Sequence, residues 1–324
     1  INQTKPVNEL YFEHLQKVTA ICDKHGLKPM IWSDMVFWVD TPERGLAQAY
    51  REDPVREPAK IRARLPKNLE LACWHYSPQD PKLYVKYLEK HREIGYEPIM
   101  ASGCQAWKRF WHDMNNMTAP RVAACIKACR QIKVRELLMT IWTGADGVDL
   151  DSAWAGLAFS AEHAFFEKPS QTLLKQRYKV IFHADYEASV AGALDIWWVG
   201  TNGLGAAPML KDDPLSGLLL RALDARTLAR IERQYQRQAQ LLARWRGETV
   251  AGDMDYVRNL ADFLGRKVGF FMRFQSAYRR KSSKDLRGLK KELKELRRSL
   301  EVVRKTFRRM WLKQFKPFGM EIVQ

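Results

Sequence analysis

The 324-residue sequence has no run of ~18 or more uncharged apolar residues, which argues against a membrane-spanning helix. No secretory leader stands at its start, although the chain opens on Ile1 rather than Met, so the opening reads as a cut. Cysteine is scarce. Cys22, Cys73, Cys104, Cys125 and Cys129 are odd in number and lie mostly among apolar neighbours, without the close paired spacing of a zinc site. Buried free thiols are the expectation, and they favour a reducing, cytoplasmic setting. Zinc-finger, RNP-like and dinucleotide-binding motifs are also missing, so neither a metal nor an organic cofactor is expected.

What is present is an ordinary soluble composition, 46% hydrophobic and 28% charged, in a chain long enough for two domains. The net charge of +17 is concentrated at one end. Between Arg279 and Lys316 there are 16 Lys/Arg against 4 Asp/Glu, so a basic terminal helix accounts for most of it. Such a run is read as a solvated helix face in preference to a nucleic-acid surface.

The first half alternates helix and strand patterns. Leu10, Leu15, Val18 and Ile21 fall on one helical face, and Gly26 ends that helix. Lys28 to Trp32 reads as a short buried strand, followed by strands at Leu69 to Trp74, Pro98 to Ala101 and Leu137 to Trp142. Helices are expected at Pro81 to Glu93, Pro120 to Ile132 and Ser152 to Phe166. Strands separated by helices imply right-handed βαβ units and a parallel sheet.

Every strand ends in a polar or aromatic cluster: Trp32-Ser33-Asp34, Trp74-His75-Tyr76, Ser102-Gly103 with Trp107, and Trp142 to Gly147. In a parallel barrel the loops after the strands converge on one face, so four such clusters point to one pocket. Only four strands precede the helical region, where a barrel needs eight. The expectation is α/β, the C-terminal half of a (β/α)₈ barrel over 1–169, followed by an all-α domain over 170–324. An open four-stranded sheet is the alternative. In the last helix Leu286, Leu289, Leu293, Leu296, Leu300, Val303, Phe307 and Met310 alternate steps of three and four, which predicts a packing seam.

The run His14 to Val18 with Lys28 to Met35 resembles the fifth-strand region of glycoside hydrolase family 20. Ala101 to Trp107 is similar to that family's Ala-Gly-Gly-x-Trp-x-Trp, and Thr140 to Asp149 to its Thr-x-Trp-Gly-Asp-Asn-Gly-x-Glu. Asp212-Asp213-Pro214-Leu215 with Gly217, and Trp311-Leu312 with Lys316-Pro317 and Gly319-Met320-Glu321, resemble further signatures of bacterial members with a C-terminal helical domain. Gln105 departs from the pattern by replacing the family's first Trp. One extra residue in the last loop sets Ala145 where Asp is expected and Asp149 where Glu is expected.

The resemblance implies a β-N-acetylhexosaminidase acting on terminal N-acetylglucosamine or N-acetylgalactosamine glycosides. In that family the substrate's own acetamido group attacks the anomeric carbon. An adjacent Asp-Glu pair supplies the acid and orients the acetamido group. No Asp-Glu dipeptide occurs here, so the pair is expected upstream of residue 1. On the same basis Tyr76 would contact the acetamido oxygen, with Trp32, Asp34, Trp74, Trp107, Trp142, Asp146 and Asp149 around the sugar. Asp146 and Asp149 have a second reading, as caps of the helix near Ser152. A catalytically inactive carbohydrate-binding relative, and a nucleic-acid or partner-binding helical protein, are the competing functions.

Overall fold

The computed structural model describes residues 5–40, 55–106, 110–143, 147–193, 206–245 and 252–320. The chain divides into two compact units, one of Ile1–Gly103 with Ala119–Thr140, the other of Cys104–Thr118 with Ile141–Gln324.

The first unit holds helix α1 (Val7–Lys24), strand β1 (Met30–Trp32), helices α2 (Asp34–Asp40) and α3 (Pro58–Arg64), and strand β2 (Glu70–Cys73). Helix α4 (Pro81–Glu93) follows, then strand β3 (Pro98–Ala106), helix α5 (Ala119–Gln131) and strand β4 (Leu137–Thr143); both strands run on into the second unit. The strands form one sheet in chain order, β1-β2-β3-β4. β1 pairs parallel with β2 (Met30 opposite Glu70), and β2 with β3 (Leu71 opposite Pro98). Met100 N–H donates to Glu136 C=O and Thr140 Oγ1 to Ser102 C=O, which joins β4 to β3. A monotonic order with helical crossovers is that of a half-barrel; a doubly wound sheet reverses its order partway.

Phe12, Leu15, Val36, Phe37, Ile61 and Leu71 pack into one core of this unit, while Cys73, Tyr84, Leu88, Met100 and Cys125 belong to another. Two sequence expectations need correction here. On α1 the buried stripe is Phe12, Leu15 and Thr19, whereas Leu10, Val18 and Ile21 are exposed. β1 is shorter than expected and not buried: Met30 is 44% and Trp32 38% exposed. Among the described residues it is an outer strand with one neighbour, and a run of apolar letters cannot tell an outer strand from an inner one.

In the second unit a 3₁₀ turn (Leu150–Ala153) precedes α6 (Trp154–Phe165), and after Ser170 every described element is helical. These elements are α7 (Gln171–Phe182), α8 (Tyr186–Ala191), α9 (Ala206–Lys211), α10 (Ala225–Ala243), α11 (Met254–Arg279) and α12 (Ser283–Gln314), with a short 3₁₀ turn at Leu220–Ala222. Ser170, Asp185, Asp224, Asp253 and Ser282 start five of them, each side chain accepting a backbone N–H of the first turn. Each such cap contributes about 1 kcal/mol. The core is built by Leu228, Ile231 and Tyr235 of α10, Leu260, Leu264 and Phe271 of α11, and Leu296, Val303 and Phe307 of α12, with Phe110 and Trp111.

Lys267 is buried in α11 and donates to the carbonyls of Met209, Leu210 and Asp212, the free oxygens at the end of α9. Burial lowers this lysine to about 8. The Asp212 carboxylate accepts from the N–H groups of Leu219 and Leu220, so the Pro208 to Leu218 connector is held from both ends.

The expected seam of α12 is narrower than its leucine pattern. Leu296, Val303, Thr306, Phe307 and Met310 are buried, but Leu293 and Leu300 are exposed. Among the described elements α12 packs chiefly on α11, and one straight neighbour covers only a stripe of a long helix. Leu296→Asp is therefore expected to cost ~3–5 kcal/mol as an unpaired buried charge, and Leu293→Asp less than ~1 kcal/mol. Urea unfolding of both variants measures the difference, and equal losses would show that both residues face the core.

Candidate functional site

In the first unit the ends of β1 and β2 set three aromatic rings in a row. Trp32 and Trp74 have ring centroids 5.9 Å apart at 40°, and Trp74 meets Tyr76 edge-on at 5.8 Å. Trp32 is the solvent-facing member, Trp74 is half-buried and Tyr76 is buried. Parallel pairing of adjacent strands brings their C-terminal residues side by side, and the short β2 releases the chain directly into Trp74-His75-Tyr76. Tyr84 of α4 donates to Pro78 C=O at 3.1 Å and fixes the segment that follows. His75 lies edge-on to Tyr87 at 5.0 Å, and burial lowers its pKa.

Asp34 is buried at the start of α2, where a carboxylate also suits the positive helix end. Its charge, with burial as the larger cause, raises the nearby Tyr11 hydroxyl to about 12. Next to it, Ser33 Oγ lies 2.8 Å from His91 Nε2, while His91 Nδ1 lies 2.9 Å from Tyr87 C=O. A carbonyl only accepts, so Nδ1 carries the proton, and the bare Nε2 shares the serine hydroxyl's proton with Ala72 C=O at 3.1 Å. His91, on α4, thus braces the end of β1. The sequence reading missed it, because a lone His in an amphipathic helix carries no local signal of what it will touch.

The second unit contains the remaining expected positions. Trp142 is half-buried near the end of β4. Trp107 and Asp146, together with Ala145, lie outside the described residues. Gln105, one residue before the end of β3, is buried, and its amide nitrogen has no hydrogen-bond partner among the described residues.

Asp149 is held by the protein itself. It is fully buried, and both carboxylate oxygens are engaged by protein donors: one by Asp151 N–H and Gln314 Nε2, the other by Asp253 N–H. It also caps the 3₁₀ turn before α6, as its second reading expected. Burial raises its pKa, with the donors opposing that shift. Its carbonyl accepts from Ser152 Oγ, which in turn accepts from the backbone N–H and Nδ1 of His112. The remaining ring nitrogen of His112, Nε2, is a buried acceptor without a hydrogen-bond partner among the described residues.

His91 and His112 are both held down to about 4 by burial, against an ordinary value of 6.5. The unfolded chain therefore binds more protons between those values. The stability tied to each neutral ring is complete above pH 6.5 and is lost as the pH falls toward 4. At pH 5 the loss should be about 2 kcal/mol per histidine. Chemical denaturation at pH 7.5 and pH 5 measures it; a loss at His91→Gln as steep as in the parent would mean that this ring is not buried neutral.

All five cysteines are free, and burial raises Cys73 and Cys104 to about 12, which leaves them as protonated core thiols. Among the described residues no cluster of three metal-ligating side chains occurs, and no helix is long and apolar enough to cross a membrane.

Residues 208–324 match the family model described as the Glycoside Hydrolase 20C C-terminal domain. No curated protein matches the chain.

Proposed function

We propose, on the match of residues 208–324 to the Glycoside Hydrolase 20C C-terminal domain, that this chain is a member of glycoside hydrolase family 20 and forms the second half of a (β/α)₈ β-N-acetylhexosaminidase barrel. The open sheet carries this reading. Met30 and Trp32 on β1, and Leu138 and Ile141 on β4, are large apolar residues left exposed on the two outer strands. Parallel sheets occur with both faces covered and, in this barrel, with no outer strands at all. Four further βα units would cover them, and the reading assigns those units to residues upstream of Ile1. In this reading 1–169 belongs to the barrel and 170–324 to the helical domain.

The substrate is a terminal N-acetylglucosamine or N-acetylgalactosamine glycoside. Trp32 and Trp74 stack on the apolar face of the sugar, while Asp34 accepts from its hydroxyls. Tyr76 donates to the acetamido oxygen as charge develops on the oxazolinium ring. The upstream Asp-Glu pair supplies the acid that protonates the leaving oxygen, and the acetamido carbonyl takes the place of an enzyme nucleophile.

Trp74→Ala, in the protein restored with its upstream half, tests the stacking. KM for an aryl N-acetylglucosaminide should rise about tenfold, because stacking acts on the bound sugar throughout the reaction. An unaltered KM would remove the aromatic row from the pocket.

A further inference from the structure

The segment after β4 is tied to the far end of the chain. Gln314, the last residue of α12, uses both ends of its amide: Nε2 donates to the Asp149 carboxylate, and Oε1 accepts from Leu150 N–H at 3.0 Å. Asp253, the cap of α11, donates its N–H to the other Asp149 oxygen. Arg309 of α12 grips the Asp253 carboxylate with both prongs, at 2.9 and 2.7 Å. Lys313, one residue before Gln314, pairs with Asp151 at 3.3 Å.

The approach is close enough to require glycine. Gly252 has φ of +104°, and a Cβ there would come within 2.6 Å of the Trp111 ring and 3.1 Å of the Asp149 carboxylate. The start of α11 and the end of α12, both far from Asp149 in sequence, therefore meet on one carboxylate. A loop that had only to connect β4 to α6 would need none of these long-range partners, since a water-exposed loop can hydrogen-bond to solvent.

We propose that the C-terminal helical domain is a positioning element of the saccharide pocket: Gln314, Asp253 and Arg309 lock Asp149, and through it hold the 147–153 segment and Trp142 in ligand-binding geometry. This rests on the reading of Trp142 as a wall of the sugar pocket. Gln314 and Asp149 are positioning residues, since the hydrogen bonds described for them run to protein groups.

The test uses the full chain, amide hydrogen exchange, and titration with N-acetylglucosamine. In Gln314→Leu the amides of Leu150 and Asp253 should exchange roughly tenfold to hundredfold faster, while the α10–α11 core keeps its parental rates. The monosaccharide should bind about tenfold more weakly. Gln314→Glu should match that loss at pH 7.5, where its carboxylate opposes Asp149, and recover at pH 5.5, where the two acids share a proton. The other charged groups facing Asp149 are Asp151, Asp253, Arg309, Lys313 and, through Ser152, His112; the leucine variant retains all of them and should not recover.

Parental exchange at Leu150 in Gln314→Leu would overturn the lock. Faster exchange with undiminished sugar binding, or equal pH behaviour of the two variants, would overturn the positioning role and leave the saccharide reading standing. If the parent chain itself fails to bind N-acetylglucosamine, the saccharide reading falls, and exchange at Leu150 still decides the lock.

Discussion

If the proposed reading holds, the 324-residue chain alone should leave an aryl N-acetylglucosaminide intact, and the same chain joined to the proposed upstream half should turn it over. The reasoning is chemical. Cleavage of a glycosidic bond requires a proton on the leaving oxygen, and the acid that gives it is an Asp-Glu pair in this family's pattern; no such dipeptide exists in the sequence. Proton donation alone contributes ~10²–10⁴-fold, and the substrate's acetamido group cannot replace it, since it serves as the nucleophile. None of the carboxylates placed at the strand ends is a convincing substitute. Asp149 is locked by protein donors, and Asp34 is buried at a helix start. A chromogenic assay on both proteins decides the point, and robust turnover by the chain alone would mean that a residue within it supplies the acid.

In the restored protein Tyr76→Phe should lower kcat by ~10²–10³-fold and leave KM within a few-fold. The hydroxyl is assigned to charge that exists mainly in the transition state, so its loss is felt in the rate and not in ground-state binding. The structure supplies the setting such a donor needs. Tyr76 is buried, its ring is held edge-on by Trp74, and a hydrogen bond in a water-poor site is electrostatically stronger than one in solvent. A rise in KM at constant kcat would instead make Tyr76 a general sugar contact. An unchanged enzyme would return it to the core as a packing residue.

The succession of helices and strands was legible in the sequence because its signals are local. Pro81 behind Asp80 starts α4 and Gly95 follows its end, and five Ser or Asp caps open the later helices where the chain writes them. The strand-end clusters around Trp32, Trp74 and Trp142 could be read the same way, and so could the connector and terminal signatures within the matched 208–324 region. Tertiary structure alone decided which apolar residues are buried. Leu293 and Leu296 are equivalent letters in one repeat, yet only Leu296 of the two is buried in the helical core. It also decided the role of Asp149. A carboxylate three residues before a helix reads equally well as a sugar ligand or a cap, and its partners Asp253 and Gln314 lie 104 and 165 residues away. Periodicity and capping are properties of neighbours along the chain, whereas burial and hydrogen-bond partnership belong to pairs that only folding brings together.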